Sequence, residues 1–325
     1  MLTRCIVSVS KKNPAILPLS LALAAALPYA VEFADTGSLH ISYQIAFGFF
    51  WLVVSPVLIW YGYRSLEWFL EYLKDFIDPD AHAALSEKTF SDIFSSRHLY
   101  FSFPLLFVFT FFAKLYAGHA GLAPVLQWAV VVLFALSGFM AGIGFWGIWV
   151  MEKLIRRMCG LDLKLDPFCI DGYGGLLYVG RFLVIGSALY FSGSMYIPFA
   201  TEVFDMFSKE NSVIIAYISV FAYIAFGLGM YFRSILYVHD KLLAEKMRID
   251  DDSQEVLYRL QEGVMNGNDT PSLEQVVRPY VYYVVHHSRI NGMRTFPYDT
   301  KSLIEIIATV MIPVLIFTFE QLFRG

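Results

Sequence analysis

The stretch APVLQWAVVVLFALSGFMAGIGFWGIWVMEKLIRR (Ala123–Arg157) settles the class of this protein. No residue from Ala123 to Met151 is charged, and Glu152, Lys153, Arg156 and Arg157 then follow within six positions. A span needs roughly 20 apolar residues to cross about 30 Å of hydrocarbon, so this run is long enough with several residues to spare. The basic cluster at its end marks the cytoplasmic side.

The rest of the chain repeats the pattern. Of its 325 residues, 57% are hydrophobic and only 16% charged, with a mean hydropathy of +0.57. Soluble domains carry about 25% charged residues, so most of this length belongs to membrane spans. Seven apolar stretches stand out, near 14–33, 42–63, 98–117, 123–151, 174–198, 212–236 and 303–322. The first follows Lys11 and Lys12 as a signal peptide would. Pro28 stands where cleavage before Val31 would want a small residue, so it reads as a retained span. With the N-terminus inside, 20 of the 24 lysines and arginines fall on the cytoplasmic side, and only Lys114, Lys209 and Arg324 outside. The fold class is therefore all-α: an integral membrane helical bundle of about seven transmembrane helices, N-terminus cytoplasmic and C-terminus outside.

The organisation follows from the spans. Residues 1–237 form a six-span membrane region with cytoplasmic connections 64–97 and 152–173; 238–301 form a cytoplasmic helical hairpin; 302–325 form the seventh transmembrane helix. After Arg64, apolar residues continue at Leu66, Phe69, Leu70, Leu73 and Ile77, a helical spacing. Span six likewise runs on, with Leu243, Met247, Val256, Leu260 and Val264 as one broken stripe. Asn266-Gly267-Asn268-Asp269 and Pro271 break it before a second helix ends near Pro297. The hairpin is too short for a catalytic domain with its own core.

Few residues carry chemistry. The segment Ile170-Asp171-Gly172-Tyr173-Gly174-Gly175-Leu176 opens span five. A helix N-terminus offers free N–H groups to an anion, and glycines admit a ligand close to the backbone. Neither phosphate-loop pattern is present, and the Gly-Tyr-Gly lies on the wrong side for a potassium filter. Asp171 also fits as the cap of span five. Arg181 lies about 9 Å into that span at 1.5 Å per residue, where it either serves a site or snorkels to the headgroups. Glu305, about one turn into span seven, is its natural partner. With Asp166, Asp171, Gly172, Gly174 and Gly175, these two charges make a candidate cytoplasmic mouth or gate. Small residues four apart, Gly138 and Gly142 in span four and Ala225 and Gly229 in span six, suit close packing within the subunit or at an oligomer interface.

Asp-Gly-x-Gly-Gly-Leu before a late span, with Phe296-Pro297-Tyr298-Asp299 before the last, resembles bacterial multi-pass membrane proteins that carry His-Pro-Asp-x-x-Gly-Gly-Leu. The resemblance implies a bacterial inner (plasma) membrane and transfers no activity. Cys5, Cys159 and Cys169 match no zinc or haem spacing, and the adjacent His286 and His287 point about 100° apart on a helix. No catalytic constellation, metal set or cofactor motif is present, and a net charge of −4 argues against nucleic acid. The expected partners are the lipid bilayer, further copies of the chain in a homo-oligomer, and a cytoplasmic protein at 238–301. A channel or transport protein is the favoured expectation. A membrane-anchored sensor or effector, acting through the hairpin without a transport path, is the alternative.

The charge asymmetry has a direct test. A compartment reporter fused after Gly325 should be active outside and one inserted at Asn268 inside; cytoplasmic activity at both sites would refute the topology.

Overall fold

A computed structural model of the chain describes every residue except 1, 37–42, 121, 123, 166–170, 208–211, 266–272, 298–299 and 325. The described residues are helical, with no strand among them. In chain order the helices are α1 (Leu2–Lys12), α2 (Ile16–Thr36), α3 (Tyr43–Leu73), α4 (Pro79–Ile93), α5 (Leu99–His119), α6 (Pro124–Cys159), α7 (Leu177–Phe191), α8 (Ile197–Phe207), α9 (Ser212–Met265), α10 (Leu273–Gly292) and α11 (Thr300–Arg324).

Six segments are long and apolar enough to cross a membrane: Ile45–Leu73, Ser96–His119, Pro124–Cys159, Leu177–Val203, Tyr217–Asp252 and Lys301–Phe319. The first apolar stretch of the sequence belongs to a different arrangement. There α1 and α2 meet at 106°, so a seventh span exists only if this bent pair is counted as one. The bend has a local cause. Pro14 supplies no N–H to continue α1, and the Asn13 side chain accepts the Ala15 N–H at 3.0 Å. Span five is also interrupted, by a short 3-10 turn at Ser192–Tyr196 between α7 and α8. Pro198, in the first turn of α8, has no N–H to lose there.

The helix that the sequence extends past Arg64 continues unbroken to Leu73 and stays packed within the bundle. Leu66, Phe69, Leu70, Leu73 and Ile77 are all buried, and the Phe69 ring stacks on Phe182 of α7 with centroids 4.2 Å apart. Together with Leu154 and Ile155 of α6 they form an apolar core at the end of the molecule that holds most of the basic residues, hereafter the base. A second core, around Leu52, Val130, Phe134 and Phe199, fills the other half. The continuation of α9 differs from expectation: Leu243 and Met247 are exposed, while Val238, Leu242 and Glu245 face inward. One step of register separates the two faces, because the inward positions include a charged residue that apolar counting skips.

Gly138 and Gly142 lie on the seam between α5 and α6 of a single chain. A Cβ at Gly138 would stand 2.5 Å from the Leu105 carbonyl oxygen, and one at Gly142 would fall on the Ser102 backbone. Their closeness therefore joins two helices of one bundle. Ala225 and Gly229 lie on the exposed face of α9, with open space around Gly229; Gly227, between them, is the residue packed against Tyr190. Replacing Gly138 or Gly142 by Leu should lower thermal stability in detergent by about 1–3 kcal/mol or more, the usual cost of forcing atoms into a packed interior. Gly229→Ala should leave the melting temperature unchanged; equal losses at all three positions would contradict the seam.

Candidate functional site

The residues that the sequence groups at a mouth meet, in part, at the base. Asp171 lies six residues before the first residue of α7, yet its carboxylate governs how that helix starts. One oxygen (Oδ1) accepts the N–H groups of Tyr173 at 2.8 Å and Gly175 at 3.1 Å, and the other (Oδ2) accepts that of Leu177 at 3.2 Å. Asp171 thus does the work of a cap without occupying the cap position, which Leu176 holds. Wrapping the chain around its own side chain requires left-handed backbone, found at Gly172 (φ 71°), Gly174 (64°) and Gly175 (95°). Three of the N–H groups that suit an anion are thus occupied by an internal carboxylate.

Other elements close over this loop. The Phe76 ring occupies the place of a Gly175 Cβ, and Met293 Cε lies 2.8 Å from that of a Gly174 Cβ. Tyr173 is 2% exposed, and its hydroxyl accepts a hydrogen bond from Arg294 (3.0 Å). The Arg294 backbone N–H donates to the Gly172 carbonyl at 2.8 Å. Lys246 of α9 donates to the carbonyls of Asn291 and Met293, each at 3.1 Å. The carbonyl end of a helix is partially negative and lacks internal partners, so a lysine there both caps α10 and binds it to α9. On the opposite side, the Lys164 N–H donates to the Phe76 carbonyl at 2.8 Å, and its ammonium pairs with Asp78 at 2.6 Å. Three glycines, the carboxylates of Asp171 and Asp78, and the basic side chains of Lys164, Lys246 and Arg294 therefore tie α3, α7, α9 and α10 together.

Arg181 and Glu305 do not join this assembly. Arg181 projects from the exposed face of α7, its guanidinium 5.0 Å from the centroid of the Tyr178 ring. Tyr178 in turn contacts Trp68 and Tyr72 of α3. Trp, Tyr and Arg on an outward face have the composition of a headgroup-level belt, so the arginine has a snorkelling environment and no need of an internal partner. Glu305 instead faces Lys301 at 3.8 Å, an exposed pair on α11. The Arg181–Glu305 pairing is thus corrected: among the ion pairs of the described residues it does not occur. Asp166 lies outside the described residues.

Sequence reading missed two buried charge clusters. Asp92, at the end of α4, pairs with Arg157 of α6 at 2.6 Å, while its carbonyl accepts the Trp146 Nε1–H at 3.0 Å. Glu245, 5% exposed on α9, lies between Lys241 (2.7 Å) and Arg248 (2.8 Å). The second cluster carried a signal, since basic residues stand four before and three after the glutamate. The first pairs residues 65 positions apart and carried none. His287 bonds Asp250 at 3.0 Å across the hairpin and forms no metal set; among the described residues no three His, Cys, Asp or Glu side chains converge. Comparisons with protein families, with curated proteins and with solved structures give no match.

Removing the carboxylate should loosen the base. Asp171→Ala leaves three N–H groups without their acceptor and should cost about 1–3 kcal/mol in a detergent melt. Asp171→Asn should cost less, because its amide retains one accepting oxygen. An unchanged melting temperature in Asp171→Ala would mean that the loop is held by packing alone.

Proposed function

We propose that this chain is a membrane-embedded effector that signals through its cytoplasmic hairpin, with α10 as the helix that docks a cytoplasmic protein in a bacterial plasma membrane setting. One observation carries the reading. Val277, Tyr280, Val281, Val284 and Val285 are all exposed, at the spacing of a single helix face. An exposed apolar stripe on a helix outside the spans is the form that helix-in-groove recognition uses. The α9 helix supports the same reading. It has 54 residues, about 80 Å at 1.5 Å each, and so runs unbroken from the membrane segment to the hairpin. Lys246 and the Asp171 loop hold α10 against that rod, so displacement in the bundle reaches the docking face.

Among the described residues of the base, Asp171 is engaged by three backbone N–H groups and Arg181 faces outward, so neither supports a polar path within one chain. The exposed Ala225 and Gly229 favour one version of a channel, a pore assembled between copies packed along α9.

A photo-crosslinking residue at Val281 or Val284 discriminates between these readings in living cells. The effector reading expects an adduct with a different polypeptide, lost in Tyr280→Glu with no change in melting temperature. Adducts confined to a second copy, together with ion flux from purified protein in liposomes, would overturn it in favour of the oligomeric channel.

A further inference from the structure

Among α3, α5, α6, α7 and α9 lies a half-open space of about 310 Å³. Its wall runs on α3 from Trp51 to Leu66 and on α6 from Met140 to Met151. At 1.5 Å per residue these walls are roughly 22 Å and 16 Å long, so the space is long and narrow and lies along the spans. An apolar cavity of about 150 Å³ holds one benzene, so this one accommodates roughly a dozen carbon atoms in a row.

The wall is apolar for a reason beyond residue type. The hydroxyls of Ser55 and Ser192 donate to the carbonyls of Leu52 (2.9 Å) and Leu189 (2.6 Å). Those of Tyr190 and Tyr223 donate to each other's backbone carbonyls, at 2.8 and 2.5 Å. The Trp146 N–H is taken by Asp92, and the Tyr196 hydroxyl is buried beside Ser137 within the wall. The polar groups of Ser55, Trp146, Tyr190, Ser192 and Tyr223 are thus turned into the protein, which leaves a wall that is mostly hydrocarbon and aromatic ring.

The glycines of α6 divide by role. Gly138 and Gly142 admit α5, which compensates for their weak helix propensity. Gly144 and Gly147 border the space and have nothing within 4 Å of where a Cβ would stand. Packing against a neighbour therefore does not account for them; they withhold side chains from the chamber.

We propose that this chamber holds one hydrocarbon chain of a membrane phospholipid. The bilayer supplies that chemistry at the chamber wall, and a linear chain matches its length, width and mostly apolar lining. A chain leaving the bilayer gains no hydrophobic free energy, so retention rests on dispersion contacts with the aromatic and aliphatic wall. The inference is independent of the hairpin and its partner.

The test is native mass spectrometry of the full chain released from mild detergent, with extracted lipid identified by mass. Wild type should retain one phospholipid per chain. Gly144→Leu and Gly147→Leu should lower retention by roughly tenfold, with melting temperatures equal to wild type or higher because the side chains fill space. The series Gly147→Ala, Gly147→Val and Gly147→Leu should reduce retention in order of side-chain volume, which keeps the test open if the largest variant misfolds. Retention of only free fatty acid, isoprenoid or detergent would overturn the proposal, as would retention that is the same in wild type and variants.

Discussion

The carboxylate of Asp171 is the constraint on which the base of this molecule depends. It accepts three backbone N–H groups from the six residues that follow it. That geometry is reachable only because the three glycines take left-handed backbone. The turn so formed thereby has three of its donors taken by the chain's own carboxylate. What it presents outward is a carbonyl, at Gly172, and a buried ring, at Tyr173; both are held by Arg294. A single charge near the start of one helix thereby sets where another pair of helices leaves the bundle.

The neighbouring charges obey the same economy. Asp92 with Arg157, and Glu245 with Lys241 and Arg248, are pairs whose acid is nearly withdrawn from solvent. Such pairs add little net stability compared with apolar packing, but breaking one leaves a buried charge without its partner. The first joins the ends of α4 and α6, whereas the second lies within α9 alone. The half of the molecule away from the base is held differently. Aromatic rings such as Phe134 against Phe199, with centroids 4.1 Å apart, and the Gly138–Gly142 seam provide fit without charge.

Much of this was legible in the sequence, and the rest has identifiable reasons for being hidden. Span positions follow from apolar run length, and six of the seven stretches form helical segments long and apolar enough to cross a membrane. The first did not stand alone because Pro14 redirects the chain, an angle that run length cannot convey. Asp171 and its glycines were legible as a helix start, since their residue types admit few other conformations. Their partners Arg294 and Met293 were not, because they are about 120 positions away and nothing local distinguishes them. Arg181 attracted attention as a charge within a span. Its neighbour Tyr178, one turn earlier on the same face, was the sign that it belonged to an outward aromatic belt.

A rigid base gives the exposed face of α10 its significance. On the effector reading we propose, an apolar helix on a loose tether would carry no signal, whereas one fixed to a rod about 80 Å long would report what happens at the far end of that rod. The most direct test is hydrogen–deuterium exchange of the wild-type chain in a bilayer disc. The amides of Tyr173, Gly175, Leu177 and Arg294 should exchange as slowly as those in the middle of α7, because each donates to a fixed acceptor at the base. Exchange of these four at the rate of an open loop, with α7 itself protected, would contradict the account.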